Sequence, residues 1–140
     1  MNIRLPEGGV VIGVGTDLIE CERIARTLER QGDRFLEKVY TEGERKYCMQ
    51  MKNPVPYLAA RFAAKEAVAK AFTTGIGTEL DWKSMEVVKG ERDEPILKLD
   101  AKGESLLKAV GASAVLISIS HTRGHGQAIA LLVRAVNYTL

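Results

Sequence analysis

The chain has 140 residues, with 20 Lys plus Arg against 18 Asp plus Glu and few aromatics. Its length is one domain's worth, residues 1–140, enough to bury a core without staples. The near-even charge and sparse aromatics exclude the profile of a nucleic-acid binder. Two cysteines, Cys21 and Cys48, are too few for a disulfide framework and fit a reducing compartment.

Met1–Glu7 lacks the apolar run and cleavage pattern of a signal peptide, and the stretch Ala128–Val133 is too short to span a bilayer. A soluble, cytoplasmic protein with no membrane partner is expected. A buried strand is predicted from Val10 to Val14, running through Gly13 and Gly15 into a helix start at Thr16-Asp17. Cys21, Ile24 and Leu28 then recur at helical spacing, and Gly32 ends that helix. Thr41 can cap a second helix, with Glu44 three residues on, to about Met51. Asn53-Pro54-Val55-Pro56 breaks it, and a third helix is predicted from Tyr57 to Phe72, stopped by Thr73-Thr74-Gly75-Ile76-Gly77. Strands are predicted at Met85–Lys89 and Ile96–Leu99 around the polar turn Gly90–Glu94. Asp100 can cap a short helix through Val110, with Gly111 as its stop. Val115–Ser120 and Ala128–Val136 read as a hairpin around the turn Thr122–Gln127. Helices early and strand pairs late predict an α+β domain with a mainly antiparallel sheet packed with helices.

Two stretches carry chemistry. The first is Gly13-Val14-Gly15-Thr16-Asp17-Leu18-Ile19-Glu20, where a helix N-terminus with free N–H groups would attract an anion. The second is Arg61-Phe62-Ala63-Ala64-Lys65-Glu66-Ala67-Val68-Ala69-Lys70, with Arg61/Lys65 and Glu66/Lys70 each spaced i, i+4. A carboxylate from each could hold one hard cation while the lysine and arginine hold phosphate oxygens, a combination that suggests phosphoryl-type transfer. Taken locally, Asp17 reads better as a helix cap, and Glu66–Lys70 reads equally well as a surface pair.

Other constellations fail on their own terms. Gly13-x-Gly15 lacks the third glycine of a dinucleotide fingerprint, since Leu18 stands there. His121 and His125 have zinc-like spacing, but Gly124 and Gly126 preclude a ligand-bearing helix and no third ligand is evident. Ser118 and Ser120 lack a nucleophile elbow. Ser120-His121-Thr122 at a strand end suits an anion or a polar ligand edge. A non-catalytic module that captures a nucleotide or an acidic helix would share the basic residues, yet has no need of a metal-competent carboxylate pair.

Together these segments resemble the holo-[acyl-carrier-protein] synthase family of 4′-phosphopantetheinyl transferases, from about Val11 to Val133. Gly13–Glu20 and Arg61–Ala67 carry the resemblance, followed in the family's order by Lys70-Ala71-Phe72, by Trp82 before Met85-Glu86-Val87, and by Ser118-Ile119-Ser120-His121-Thr122. Thr41, Glu44 and Tyr47-Cys48 match a weaker signature. The resemblance implies the 4′-phosphopantetheinyl transferase-like fold and transfer of 4′-phosphopantetheine from coenzyme A to a serine of an acyl carrier protein. It implies Mg²⁺ held by Asp17 and Glu66, with Asp17, Glu66 and Lys70 as the catalytic group. Lys70 would meet the coenzyme phosphates; Arg61, Ser120, His121, Thr122 and Pro95 would contact the coenzyme; Arg23 would meet the acidic carrier protein. Glu66 and a metal-bound water are the two candidates for the base that takes the serine proton. The family is typically a homotrimer with sites between subunits. Two departures fall in loops: Asp93-Glu94-Pro95 stands where the family has Gly-x-Pro, and Arg123–Gln127 is expected to lengthen the turn after His121-Thr122.

Overall fold

A computed structural model describes residues 8–135. Met1–Glu7, read above for a leader, and Val136, at the end of the predicted last strand, lie outside the described residues. Strand β1 (Val10–Glu20) does not stop at Val14 but runs through both glycines to Glu20. The reason is its partner: from Gly13 opposite Leu132 to Glu20 opposite His125 it pairs without a break with β5 (His125–Arg134). Ladder pairing overrides the local turn signal of Gly-x-Gly. Helix α1 (Cys21–Gln31) therefore starts four residues after Asp17, which is a strand residue and neither a helix cap nor part of a helix N-terminus.

Gly32, at φ 53°, ends α1 as predicted and also opens α2 (Asp33–Val39), a short helix not foreseen in the sequence. The capping box of Thr41 and Glu44 starts α3 (Glu42–Met49), which ends two residues short of Met51. Helix α4 (Val55–Phe72) begins before the predicted Tyr57, because Pro56 sits in the first turn, where a missing N–H is harmless. It ends at Thr73, whose φ of 64° is left-handed, a strained conformation for a β-branched residue.

A 3₁₀ turn at Trp82–Ser84 leads into the hairpin of β2 (Met85–Lys89) and β3 (Pro95–Leu99). Asp93 takes φ 61° in its turn, so the residue in place of the family glycine adopts the backbone that glycine prefers. Asp100 caps α5 (Ala101–Ala109) by accepting from the Gly103 N–H at 2.9 Å. In the last hairpin, β4 (Ala114–His121) and β5 are joined by residues 122–124 alone. The predicted longer turn to Gln127 is not there: His125, Gly126 and Gln127 already pair in the ladder with Glu20, His121 and Ser120.

The fold is α+β with antiparallel pairing throughout: one sheet in the order β1-β5-β4 and a second of β2-β3. Helix α4 lies on the first sheet at very close range. A Cβ on Gly15 would fall 2.0 Å from the Ala67 carbonyl oxygen, one on Gly13 2.6 Å from that of Ala71, and one on Gly126 2.6 Å from the Ala59 carbonyl carbon. The Gly-x-Gly pair is thus a seat for a helix rather than a phosphate loop. Buried Ala59, Ala63, Ala67 and Ala71 recur every fourth residue on α4, which is buried on most sides. Among the described residues, no helix is long and apolar enough to cross a membrane.

Candidate active site

Side chains alternate along a strand, so Gly13, Gly15, Asp17 and Ile19 share the face of β1 turned toward α4. On α4, the residues that escape full burial beyond its first turn are Phe62, Glu66 and Lys70, each four apart and hence one stripe. The tight Gly15–Ala67 contact brings that stripe down beside Asp17. Lys70 donates from Nζ to Asp17 Oδ1 and to the Thr16 carbonyl, each at 3.0 Å.

Glu66 is half-buried, and its proton is held above the ordinary 4.5, first by burial and then by the negative charge of Asp17. Lys70 and Arg23 pull the other way. Mutual influence of this kind requires the four groups to lie together. One cluster therefore holds two carboxylates and two cations, contributed by β1, α1 and α4. Partial burial with like charges side by side is the environment in which a cation is welcome. Among the described residues no group of three or more His, Cys, Asp and Glu side chains converges into a metal cage. Two carboxylates with open positions suit a hard cation that completes its shell with phosphate oxygens and water, as Mg²⁺ does.

The remaining sequence-predicted residues gather elsewhere. Arg61 is 4% exposed, with its guanidinium 4.4 Å from the centre of the Tyr47 ring. It donates to the Tyr57 carbonyl at 3.3 Å, while its Nε has no partner. Lys89 lies against the same Tyr47 ring at 4.7 Å and pairs in the ladder with Pro95. Tyr57 in turn packs on His121, with ring centres 4.8 Å apart, beside a shallow cleft of about 380 Å³ that also borders Lys52 and Thr122. Ser120 donates to Gln127 Oε1 at 3.1 Å, and the Thr122 hydroxyl accepts from the Gly124 and His125 N–H groups of its own turn. Strand alternation puts His121 on the α4 side of the sheet and His125 on the other, so the two cannot share a ligand.

Two groups thus form. Asp17, Glu66, Lys70 and Arg23 make one; Arg61 and His121, linked through Tyr57 and with Pro95 nearby, make the other. Along α4, Arg61 precedes Glu66 by about 7.5 Å, and Tyr57, against which His121 packs, by about 14 Å, so His121 stands apart from the carboxylate pair. Lys65, spaced i, i+4 from Arg61, is fully buried against Glu44. Tyr57 was legible as an i, i+4 neighbour of Arg61 on one helix. The meeting of Tyr47 with Arg61 and Lys89 joins three distant segments and leaves no sequence signal.

The model of the 4′-phosphopantetheinyl transferase superfamily matches residues 13–130. A holo-[acyl-carrier-protein] synthase of Chlamydia trachomatis serovar D is 48% identical over 121 residues, covering 86% of this chain and 98% of the relative. The crystal structure of holo-[acyl-carrier-protein] synthase from Neisseria meningitidis superposes with a TM-score of 0.82 at 31% identity, covering 88% of this chain and 98% of that one. A holo-(acyl-carrier-protein) synthase from Bacillus anthracis, solved in complex with CoA (3′,5′-ADP), gives 0.74 at 35% identity, with coverages of 89% and 98%. A binding module without chemistry does not account for a likeness to named enzymes over nearly the whole chain. With its carboxylate–lysine cluster set on a fold that these synthases share from end to end, the chain belongs to the 4′-phosphopantetheinyl transferase superfamily, as an enzyme of the holo-[acyl-carrier-protein] synthase type.

Proposed function

We propose that this enzyme, acting as a single cytoplasmic domain, moves 4′-phosphopantetheine from coenzyme A to a serine of an apo acyl carrier protein, in a Mg²⁺-dependent reaction. The observation that carries the reading is the meeting of Glu66 and Lys70 of α4 with Asp17 of β1, where burial first and then Asp17 raise the proton affinity of Glu66. The serine oxygen attacks the β-phosphorus of the coenzyme diphosphate, the bond to the bridging oxygen breaks, and adenosine 3′,5′-bisphosphate leaves. Asp17 and Glu66 would hold Mg²⁺, which supplies charge neutralisation at the diphosphate when bound. Lys70, within reach of the same carboxylates, stabilises charge on the leaving phosphate. The raised proton affinity of Glu66 also suits it to receive the serine proton.

Arg61 supports a coenzyme role by its environment rather than by display: it is a buried guanidinium with an unpartnered Nε and, among the described residues, no salt bridge. A nearby phosphate would complete its pairing. Ser120, His121, Thr122 and Pro95 would frame the nucleotide end beside it. Arg23 would meet an acidic carrier helix beside the metal pair, steering its approach.

The distance of His121 from Glu66 favours a site completed by a second copy, since Tyr57, against which His121 packs, and Glu66 lie about 14 Å apart along α4. The sheet face turned away from α4 supports this, since it carries Val14, Leu18 and Ile129, exposed at 57%, 66% and 38%. Large apolar side chains gathered on one sheet face mark an association surface, and a closed three-fold ring would bury it. Mass spectrometry of an apo carrier incubated with coenzyme A and Mg²⁺ tests the reaction: the expected result is a gain of one phosphopantetheine group, abolished by a chelator. An unchanged carrier mass would overturn it. For assembly, mixed His121→Ala and Glu66→Gln subunits should regain activity, whereas a fully active monomer in light scattering would rule out the shared site.

A further inference from the structure

Of the ion pairs among the described residues, Lys65–Glu44 is the one with both side chains wholly withdrawn from solvent. Lys65 directs its ammonium at three acceptors on three segments: Glu44 Oε1 at 2.6 Å on α3, the Val39 carbonyl at 2.7 Å at the end of α2, and the Trp82 carbonyl at 3.1 Å in the 3₁₀ turn. Glu44 accepts in turn from the Thr41 N–H at 2.9 Å and from the Val87 N–H of β2 at 2.8 Å. One side chain of α4 is thereby tied to the end of α2, to α3 and to the 3₁₀ turn, and through Glu44 to β2. Satisfied so fully, the pair is rigid. Buried ion pairs add little stability over apolar replacements, so stability alone is a weak account of its presence.

The opposite side of α4 explains the need for such a tie. There the helix meets the sheet through Gly13, Gly15 and Gly126 against Ala59, Ala67 and Ala71. Small residues permit close approach but offer few knobs to fix the helix's rotation or slide. Lys65 and Glu66 are consecutive, and Lys70 follows Glu66 by one turn, so fixing rotation at Lys65 fixes the direction of both others. We infer that Lys65–Glu44 is a positioning pair that sets the rotation of α4 and so holds Glu66 and Lys70 against Asp17. The inference rests on the proposed role of Asp17 and Glu66 as the cation-holding pair.

The test separates position from stability. Lys65→Met with Glu44→Gln removes both buried charges together, and the double variant should melt above either single variant. Mn²⁺ binding, followed by electron spin resonance in the presence of coenzyme A, should nonetheless show a half-saturation at least fivefold above that of the unaltered enzyme. A double variant that regains ordinary Mn²⁺ affinity along with its stability would overturn the positioning role. Should the double variant not fold, Glu44→Gln is read by the same titration at a temperature where circular dichroism shows it folded. Glu66→Gln sets the scale: unchanged Mn²⁺ affinity there would refute the metal reading itself. A shift in Glu66→Gln with none in the double variant would refute only the positioning pair.

Discussion

Replacing Gly15 by alanine adds one methyl group at the point where α4 rests on β1. The new Cβ would stand 2.0 Å from the Ala67 carbonyl oxygen and 2.7 Å from the Ala71 nitrogen, both backbone atoms of a helix that cannot swing aside like a side chain. Ordinary contact begins at 3.4 Å, so α4 must lift from the sheet by about 1.4 Å locally. Overpacking of this kind costs about 1–3 kcal/mol, and contact with rigid backbone belongs at the upper end. Glu66 and Lys70 ride on the displaced turn while Asp17 stays on the strand. A shift of ~1 Å in a catalytic array can cost about 100-fold in rate. The expected result is a melting temperature lower by several degrees and a kcat for carrier modification about two orders of magnitude down, measured at a temperature where the variant is folded. Gly124→Ala is the control, since a Cβ there meets nothing within 4 Å and its φ is unstrained. Wild-type turnover and melting in Gly15→Ala would refute the claim that the glycine seat brings the two carboxylates together.

Other outcomes follow from the same geometry. Because folding raises the pKa of Glu66, its contribution to stability is fully present below the unfolded value and is lost as pH rises through the folded one. Mg²⁺ should therefore raise the melting temperature more at high pH than at low, the gain fading on acidification through the raised pKa of Glu66; a Mg²⁺ effect independent of pH in calorimetry would count against the pair. Arg23→Glu should raise the KM for the carrier several-fold while sparing the KM for coenzyme A, with the defect shrinking as salt screens it; equal loss for both substrates would place Arg23 elsewhere in the mechanism. Thr73→Gly removes a left-handed β-branched residue at the end of α4 and should stabilise by about 1 kcal/mol, seen as a rise of roughly 4 °C in melting temperature; a fall would show that the threonine hydroxyl matters more than the backbone strain.

Much of this protein was legible in order of sequence. The capping box at Thr41 and Glu44, the stop at Gly32, the cap at Asp100 and the β2–β3 hairpin are local events, decided by side chains within a few residues of the backbone groups they satisfy. The stripe of Glu66 and Lys70 on one helix was likewise a matter of spacing. The misreadings share one cause. Read locally, Val14 ends a strand, Thr16-Asp17 starts a helix and Thr122–Gln127 forms a long turn, because local sequence does not contain the partner strand that pairs through these glycines. A glycine at a turn and a glycine beneath a packed helix look alike in sequence, since what distinguishes them is the atom on the other side. Lys65 shows the same limit: in sequence it is only the i, i+4 partner of Arg61, yet long-range packing against Glu44, Val39 and Trp82 makes it a core residue. The sequence by itself determined which residues carry charge and where α1, α3, α4 and α5 run, while α2 emerged only in the folded chain. Only the tertiary structure decided which charges face one another, because the contact of Gly15 with Ala67 joins segments some fifty residues apart and sets the distance between Asp17 and Glu66.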